Sequence, residues 1–233
     1  MQPVSNNKRI AKNTLFLYIR TIFTMVVSLY TSRIVLATLG VDDFGIYNVV
    51  GGVVAMFSVF SGSLSVSISR FITYELGKGN QEKLKKVFST AVSIQIFLAV
   101  CITILAEIIG IWFLNNKMNI PADRLNAANW VMHFSILAFA VNLISVPYNA
   151  AIIAHEEMSA FAYISILEVV LKLLIVYLLL CFSFDKLILY AGLKYFITLF
   201  CWLANYIYCK KIFSKRLKKV IIYKYMQHLF LST

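Results

Sequence analysis

Long runs of apolar residues, separated by short polar segments, dominate the chain. A helix needs roughly 20 mostly apolar residues to cross the hydrocarbon core of a bilayer. Unpaired backbone groups are costly in hydrocarbon, and the runs lack the alternation of strands, so each run predicts a helix. The predicted fold is all-α: a polytopic membrane helix bundle with about six transmembrane helices, near residues 13–38, 44–68, 87–113, 127–152, 160–182 and 186–209.

Composition supports a membrane protein. The chain is 61% hydrophobic and 14% charged, whereas soluble domains are about 45–50% apolar and about 25% charged. A net charge of +12 suggests nucleic acid in a soluble protein, but here the basic residues lie between apolar runs. We therefore expect membrane lipids, and no nucleic acid, as partners.

Sequence motifs of enzymes are missing from the 233 residues. The four cysteines lie in or at the end of apolar runs without metal-ligand spacing. No nucleophile elbow, P-loop or dinucleotide fingerprint is present. The sequence predicts a protein that is not an enzyme, with no catalytic residues, metal or cofactor.

Basic residues predict the orientation, because they concentrate in cytoplasmic segments. Three precede Asn13, five lie between Arg70 and Lys86, and seven lie from Lys210 onward. The opposite side would hold only Lys117, Arg124 and Lys186. We predict cytoplasmic termini, a six-helix transmembrane lobe over 1–209, and a basic cytoplasmic C-terminal segment over 210–233.

The first predicted span carries a polar stripe. Asn13, Arg20, Thr24, Ser28 and Thr31 fall within less than a quarter-turn at helical spacing. Such a stripe is expected to face the bundle interior or a water-filled cavity. For Arg20 the alternative is snorkelling to the headgroups.

Arg33 lies on another face of the same span, close to its outer end. Snorkelling to the outer headgroups and binding of a ligand both fit that position.

Three further charges lie inside predicted spans. Glu168 and Lys172 are four residues apart, with the glutamate first, which favours an intrahelical ion pair. Pairing also lowers the cost of placing either charge in the membrane. The alternative is functional: Glu168 takes a coupling proton, or Lys172 meets an anionic ligand. Lys194 is the third charge of this set and its second cation.

Three segments resemble the bacterial polysaccharide flippases of the Wzx type, in the MOP (multidrug/oligosaccharidyl-lipid/polysaccharide) superfamily. They are LGVDDFGIYNVVGG at 39–52, SRFITYELGKGNQEKLKKVFSTA at 69–91 and PYNAAIIAHEEM at 147–158. The resemblance implies transport of an undecaprenyl-pyrophosphate-linked oligosaccharide across the bacterial inner membrane for O-antigen, capsule or lipopolysaccharide synthesis. Glu168 would be the coupling group, and the predicted substrate-binding residues are Arg20, Thr24, Ser28, Arg33, Lys172 and Lys194.

Length separates the chain from those flippases, which usually have two six-helix lobes related by an axis along the membrane normal. We expect a truncated, one-lobe product, or a second lobe or polysaccharide-assembly proteins as partners. Three alternatives stay open: a lipid II flippase, a drug/cation antiporter of the same superfamily, and a non-transporting fragment or assembly partner.

Overall fold

The computed structural model describes residues 3–56, 58–155, 157–181 and 184–230. Within them the elements are seven helices, and no strand occurs there. The prediction of an all-α polytopic helix bundle is confirmed. The helices are α1 (Pro3–Leu39), α2 (Val41–Met56), α3 (Ser58–Lys78), α4 (Gln81–Lys117), α5 (Leu125–Ala154), α6 (Met158–Cys181) and α7 (Lys186–Phe230).

Five helices of the described chain are long and apolar enough to cross a membrane: α1, α4, α5, α6 and α7. The range 44–68, expected to be one span, is covered by α2 and α3, with Phe57 between them outside the described residues. α7 runs across the proposed boundary at residue 209, and the side chains after Lys211 lie outside the description. The division into lobe and C-terminal segment therefore stays a prediction.

Helix α5 forms the centre of the bundle. It packs against α2, α3, α4, α6 and α7, whereas α1 packs mainly on α6. Met132, Ile136 and Leu143 of α5 are fully buried. Small residues such as Ala128 and Ala150 allow close helix approach, which drives association where lipid and side chains are equally apolar.

At one face of the bundle, ion pairs link the α1–α2, α4–α5 and α6–α7 connections. Arg124, just before α5, forms ion pairs with Asp43 at 2.9 Å and Asp185 at 2.8 Å. The α1–α2 junction beside Asp43 is Gly40, whose φ of +83° suits glycine. Burial raises the pKa of Asp43, and Arg124 partly offsets that shift. We call this the Arg124 face.

The opposite face, here called the basic face, carries the α3–α4 turn. Gly79 has a φ of +71°, and the Asn80 side chain accepts a hydrogen bond from the Lys83 backbone at 3.1 Å, so it caps α4. Such a cap contributes about 1 kcal/mol. The cations of α3 and α4 at this face are Arg70, Lys78, Lys83, Lys85 and Lys86.

Candidate functional site

Two adjoining cavities lie between the helices. The first, of about 260 Å³, lies among α2, α5, α6 and α7 and is called the α5 cavity. The second, of about 270 Å³, lies among α1, α2, α6 and α7 and is called the α1 cavity. Tyr47, Lys172 and Lys194 line both. Two lysines therefore mark the place where the cavities meet.

Lys194 of α7 is held by aromatic residues. Its ammonium donates a hydrogen bond to the Tyr47 hydroxyl. The nitrogen also lies 4.7 Å from the centroid of the Tyr47 ring and 5.7 Å from that of Tyr190. The two rings meet edge to face at 4.9 Å, which fixes their positions. A cation away from bulk water is thus stabilised by a hydroxyl and two π faces.

Lys172 and Glu168 form the predicted intrahelical ion pair, with 2.5 Å between Lys172 Nζ and Glu168 Oε1. The pair is confirmed; the functional alternative for these residues stays a prediction. The side chains remain 35% and 37% exposed, so both still reach the cavity space. Glu168 lines only the α5 cavity, whereas Lys172 lines both. Among the described residues that line the two cavities, the charged ones are two lysines and one glutamate, an excess of one positive charge.

The polar stripe of α1 only partly reaches these cavities. Ser28 and Thr31 line the α1 cavity, and the Thr31 hydroxyl donates to the Val27 carbonyl at 2.7 Å. Thr24 donates to the Thr21 carbonyl at 3.0 Å.

The remaining predicted cations lie elsewhere in the described chain. Arg20 and Arg33, like Thr24, are not among the described residues that line either cavity. The Arg20 guanidinium lies 4.5 Å from the centroid of the Phe161 ring near the start of α6. Arg33 is exposed. The structure brings Ser28, Lys172, Lys194 and Glu168 together; the binding roles of all these residues remain predictions.

Tyr47 is a site residue that sequence reasoning missed. It is the acceptor for Lys194 and belongs to both cavities. The available signal was its spacing: Tyr47, Gly51 and Ala55 lie at i, i+4 and i+8 on one face of α2, and all three line the α5 cavity.

A further polar contact lies apart from the cavities. The Glu107 carboxylate of α4 and the His133 imidazole of α5 are 2.8 Å apart, within hydrogen-bond distance, and neither residue lines either cavity. In the described part of the chain, no group of three or more His, Cys, Asp or Glu residues is placed to hold a metal ion.

Comparison with known proteins gives a family and one curated relative. A family model described as MatE matches residues 18–178. The "Uncharacterized membrane protein EpsK" of Bacillus subtilis (strain 168) is 22% identical over 164 residues, which cover 70% of this chain and 32% of that protein. The match thus spans about a third of the relative's length. No solved structure matches.

Proposed function

Since this chain belongs to the MatE family of membrane transporters, we propose that it contributes the cargo-binding lobe of a flippase for an anionic, lipid-linked oligosaccharide. The proposed cargo is a glycan on undecaprenyl pyrophosphate, carried across the bacterial inner membrane, with both termini of this chain in the cytoplasm. The observation that carries the proposal is the pair of lysines shared by two cavities inside the lobe.

Charge is the first argument for this cargo. A pyrophosphate loses its hydration in the low-dielectric core, so its passage requires cations along the route. Lys172 and Lys194 are placed to meet it from either cavity. An anionic cargo supplies a reason to hold two ammonium groups between transmembrane helices, where only one carboxylate among the described lining residues offsets their charge.

The lining supports the glycan and the exposed helices support the prenyl chain. Ser28, Ser32 and Asn48 line the α1 cavity and can exchange hydrogen bonds with sugar hydroxyls. Large apolar side chains of α1, such as Ile22 and Leu29, are more than 60% exposed on the bundle exterior. A prenyl chain can stay against that surface, in the lipid, while the head group occupies the cavity. Movement across the membrane would follow alternating access against a second lobe.

A drug/cation antiporter is the competing function, because Glu168 lines the α5 cavity together with the aromatic rings of Tyr47, Phe134 and Tyr195. Such a set suits a lipophilic cation. Against it, the Glu168 carboxylate is already paired with Lys172, and Lys194 adds a further positive charge. The balance of charge favours an anion.

Binding to the purified 233-residue chain in nanodiscs tests the proposal. The probes are farnesyl pyrophosphate, farnesol and the lipophilic cation tetraphenylphosphonium. We expect the pyrophosphate to bind and the other two to bind far more weakly. A charge-assisted hydrogen bond contributes about 1.5–3 kcal/mol, so Lys172→Gln and Lys194→Gln should each weaken binding by about 10- to 100-fold.

Lys186→Gln, a lysine at the Arg124 face outside both cavities, is the matched control and should bind like the unchanged chain. Equal affinity for farnesol and its pyrophosphate would contradict the proposal. Binding of tetraphenylphosphonium that Glu168→Gln abolishes would establish the antiporter instead.

A further inference from the structure

A third cavity lies between α3 and α4, away from the two just described. It has a volume of about 410 Å³ and is lined by six residues of α4 and four of α3. Its lining is almost wholly apolar, with Phe71 and Ile94 64% and 50% exposed beside it. It is therefore a groove in the outer wall of the lobe rather than a chamber inside it. We call it the α3–α4 groove.

The ends of the groove differ in chemistry. Lys86 lies at the end near the basic face and is exposed. Gln95 lies at the other end and is fully buried, and within the described chain its amide has no hydrogen-bond partner. Gln95 lies nine positions after Lys86, a separation of roughly 13.5 Å along the helix. That depth is close to one leaflet, since the hydrocarbon core of a bilayer is about 30 Å thick.

From this geometry we propose that the α3–α4 groove is a binding site for one anionic phospholipid, with an acyl chain in the groove and the phosphate at Lys86. Lys83 and Lys85 lie on the same turns of α4, and Lys78 ends α3. Near the basic face, α3 and α4 carry two acidic residues, Glu75 and Glu82, against the five cations named above. An anionic headgroup therefore complements the mouth of the groove.

Selection between lipids must come from the headgroup. Hydrocarbon tails gain little by leaving other tails for an apolar groove, because lipid is as apolar as the lining. The groove instead holds one acyl chain in place, and the lysines determine which headgroup binds. Gln95 sets the depth, because an acyl chain cannot bond its amide. The site does not involve Lys172 or Lys194, so it stands or falls separately from the proposed transport function.

Native mass spectrometry of the delipidated chain, titrated with phosphatidylglycerol or phosphatidylcholine, tests this site. We expect one phosphatidylglycerol molecule to bind more tightly than phosphatidylcholine, by a factor of about five for each lysine that contacts its headgroup. Lys86→Gln should weaken phosphatidylglycerol binding by about five-fold and leave phosphatidylcholine unchanged. Lys210→Gln, an exposed lysine of α7, is the charge-matched control.

Filling the groove supplies a second, independent readout. Ser67 lines the groove and is exposed, whereas its neighbour Val66 is exposed but does not line it. Ser67→Phe should abolish the single tight site, and Val66→Phe should preserve it. Gln95→Leu should also preserve it. Equal binding of the two lipids, retention of the site in Ser67→Phe, or loss in Gln95→Leu without loss in Lys86→Gln would each overturn the proposal.

Discussion

Replacing Glu168 by glutamine is the sharpest perturbation of the cavity charge. Its Oε1 lies 2.5 Å from Lys172 Nζ, so the carboxylate neutralises one of the two lysines shared by the cavities. Glutamine keeps the size and a hydrogen-bond acceptor but removes the negative charge. If the cargo is anionic, its binding should become tighter.

The magnitude follows from the ion-pair distance. An anion that contacts Lys172 on its far side would lie about 5 Å from the Glu168 carboxylate, with repulsion of about 3 kcal/mol at an effective dielectric constant of about 20 and about 0.8 kcal/mol in water. Both side chains are about one-third exposed, so the value falls between these limits. We expect farnesyl pyrophosphate to bind about 5- to 100-fold more tightly to Glu168→Gln.

Stability should move in the opposite direction. Loss of the ion pair leaves Lys172 without its counter-charge, at a cost of about 1 kcal/mol, or roughly 2–4 °C in melting temperature. Isothermal titration and thermal melting in the same nanodiscs measure both effects. Glu107→Gln is the matched control, because it removes a carboxylate charge from a hydrogen-bonded contact outside both cavities. Unchanged or weaker binding in Glu168→Gln, with Glu107→Gln at the wild-type value, would refute an anionic site at Lys172.

Three other outcomes can be measured. Tyr47→Phe keeps the ring beside Lys194 but removes the hydroxyl that accepts its hydrogen bond. We expect the free energy of unfolding to fall by about 1.5 kcal/mol, measured by thermal melting. An unchanged melting temperature would contradict the contact. Arg124→Gln removes the cation that pairs with the buried Asp43 carboxylate and with Asp185, and it should lower the free energy of unfolding by about 2 kcal/mol. Adding Asp43→Asn should restore part of that stability. No recovery in the double variant would show that the charge of Asp43 is not the cause. Burial raises the pKa of Asp43 above its usual 3.8, so ionisation of that group opposes folding. Its contribution to stability therefore falls as pH rises above about 3.8. Asp43→Asn should remove this part of the dependence of melting temperature on pH between about pH 4 and about pH 7.

Sequence periodicity predicted what is local along the chain. Helices follow from the length of apolar runs, and the Glu168–Lys172 pair follows from a spacing of four within one helix. The stripe on α1 placed Ser28 and Thr31 on a common face, and both line the α1 cavity. Periodicity gives the face of a helix, but it does not say which helix lies opposite.

Contacts between distant parts of the chain could not be predicted in this way. Tyr47 and Lys194 are 147 positions apart, and Arg124 lies 81 positions from Asp43. Arg20 belongs to the polar stripe of α1, yet its guanidinium lies over the Phe161 ring of α6 and lines neither cavity. These pairings depend on how α5 and its neighbours pack, which no single-helix pattern contains.

The Lys194–Tyr47 hydrogen bond stands at the junction of the two cavities, and this has a consequence for the speed of the proposed passage. If the cargo moves from one cavity to the other along this junction, it would displace the tyrosine hydroxyl from the ammonium. A phosphate oxygen can replace it as acceptor in the same event, so the ammonium exchanges one partner for another. A neutral apolar molecule offers no replacement and would leave the ammonium bare at the crossing, at the cost of a hydrogen bond to a charged group, about 1.5–3 kcal/mol. Discrimination against apolar molecules that carry no hydrogen-bond acceptor would then be kinetic, and it would arise at the crossing even where both cavities admit them equally well.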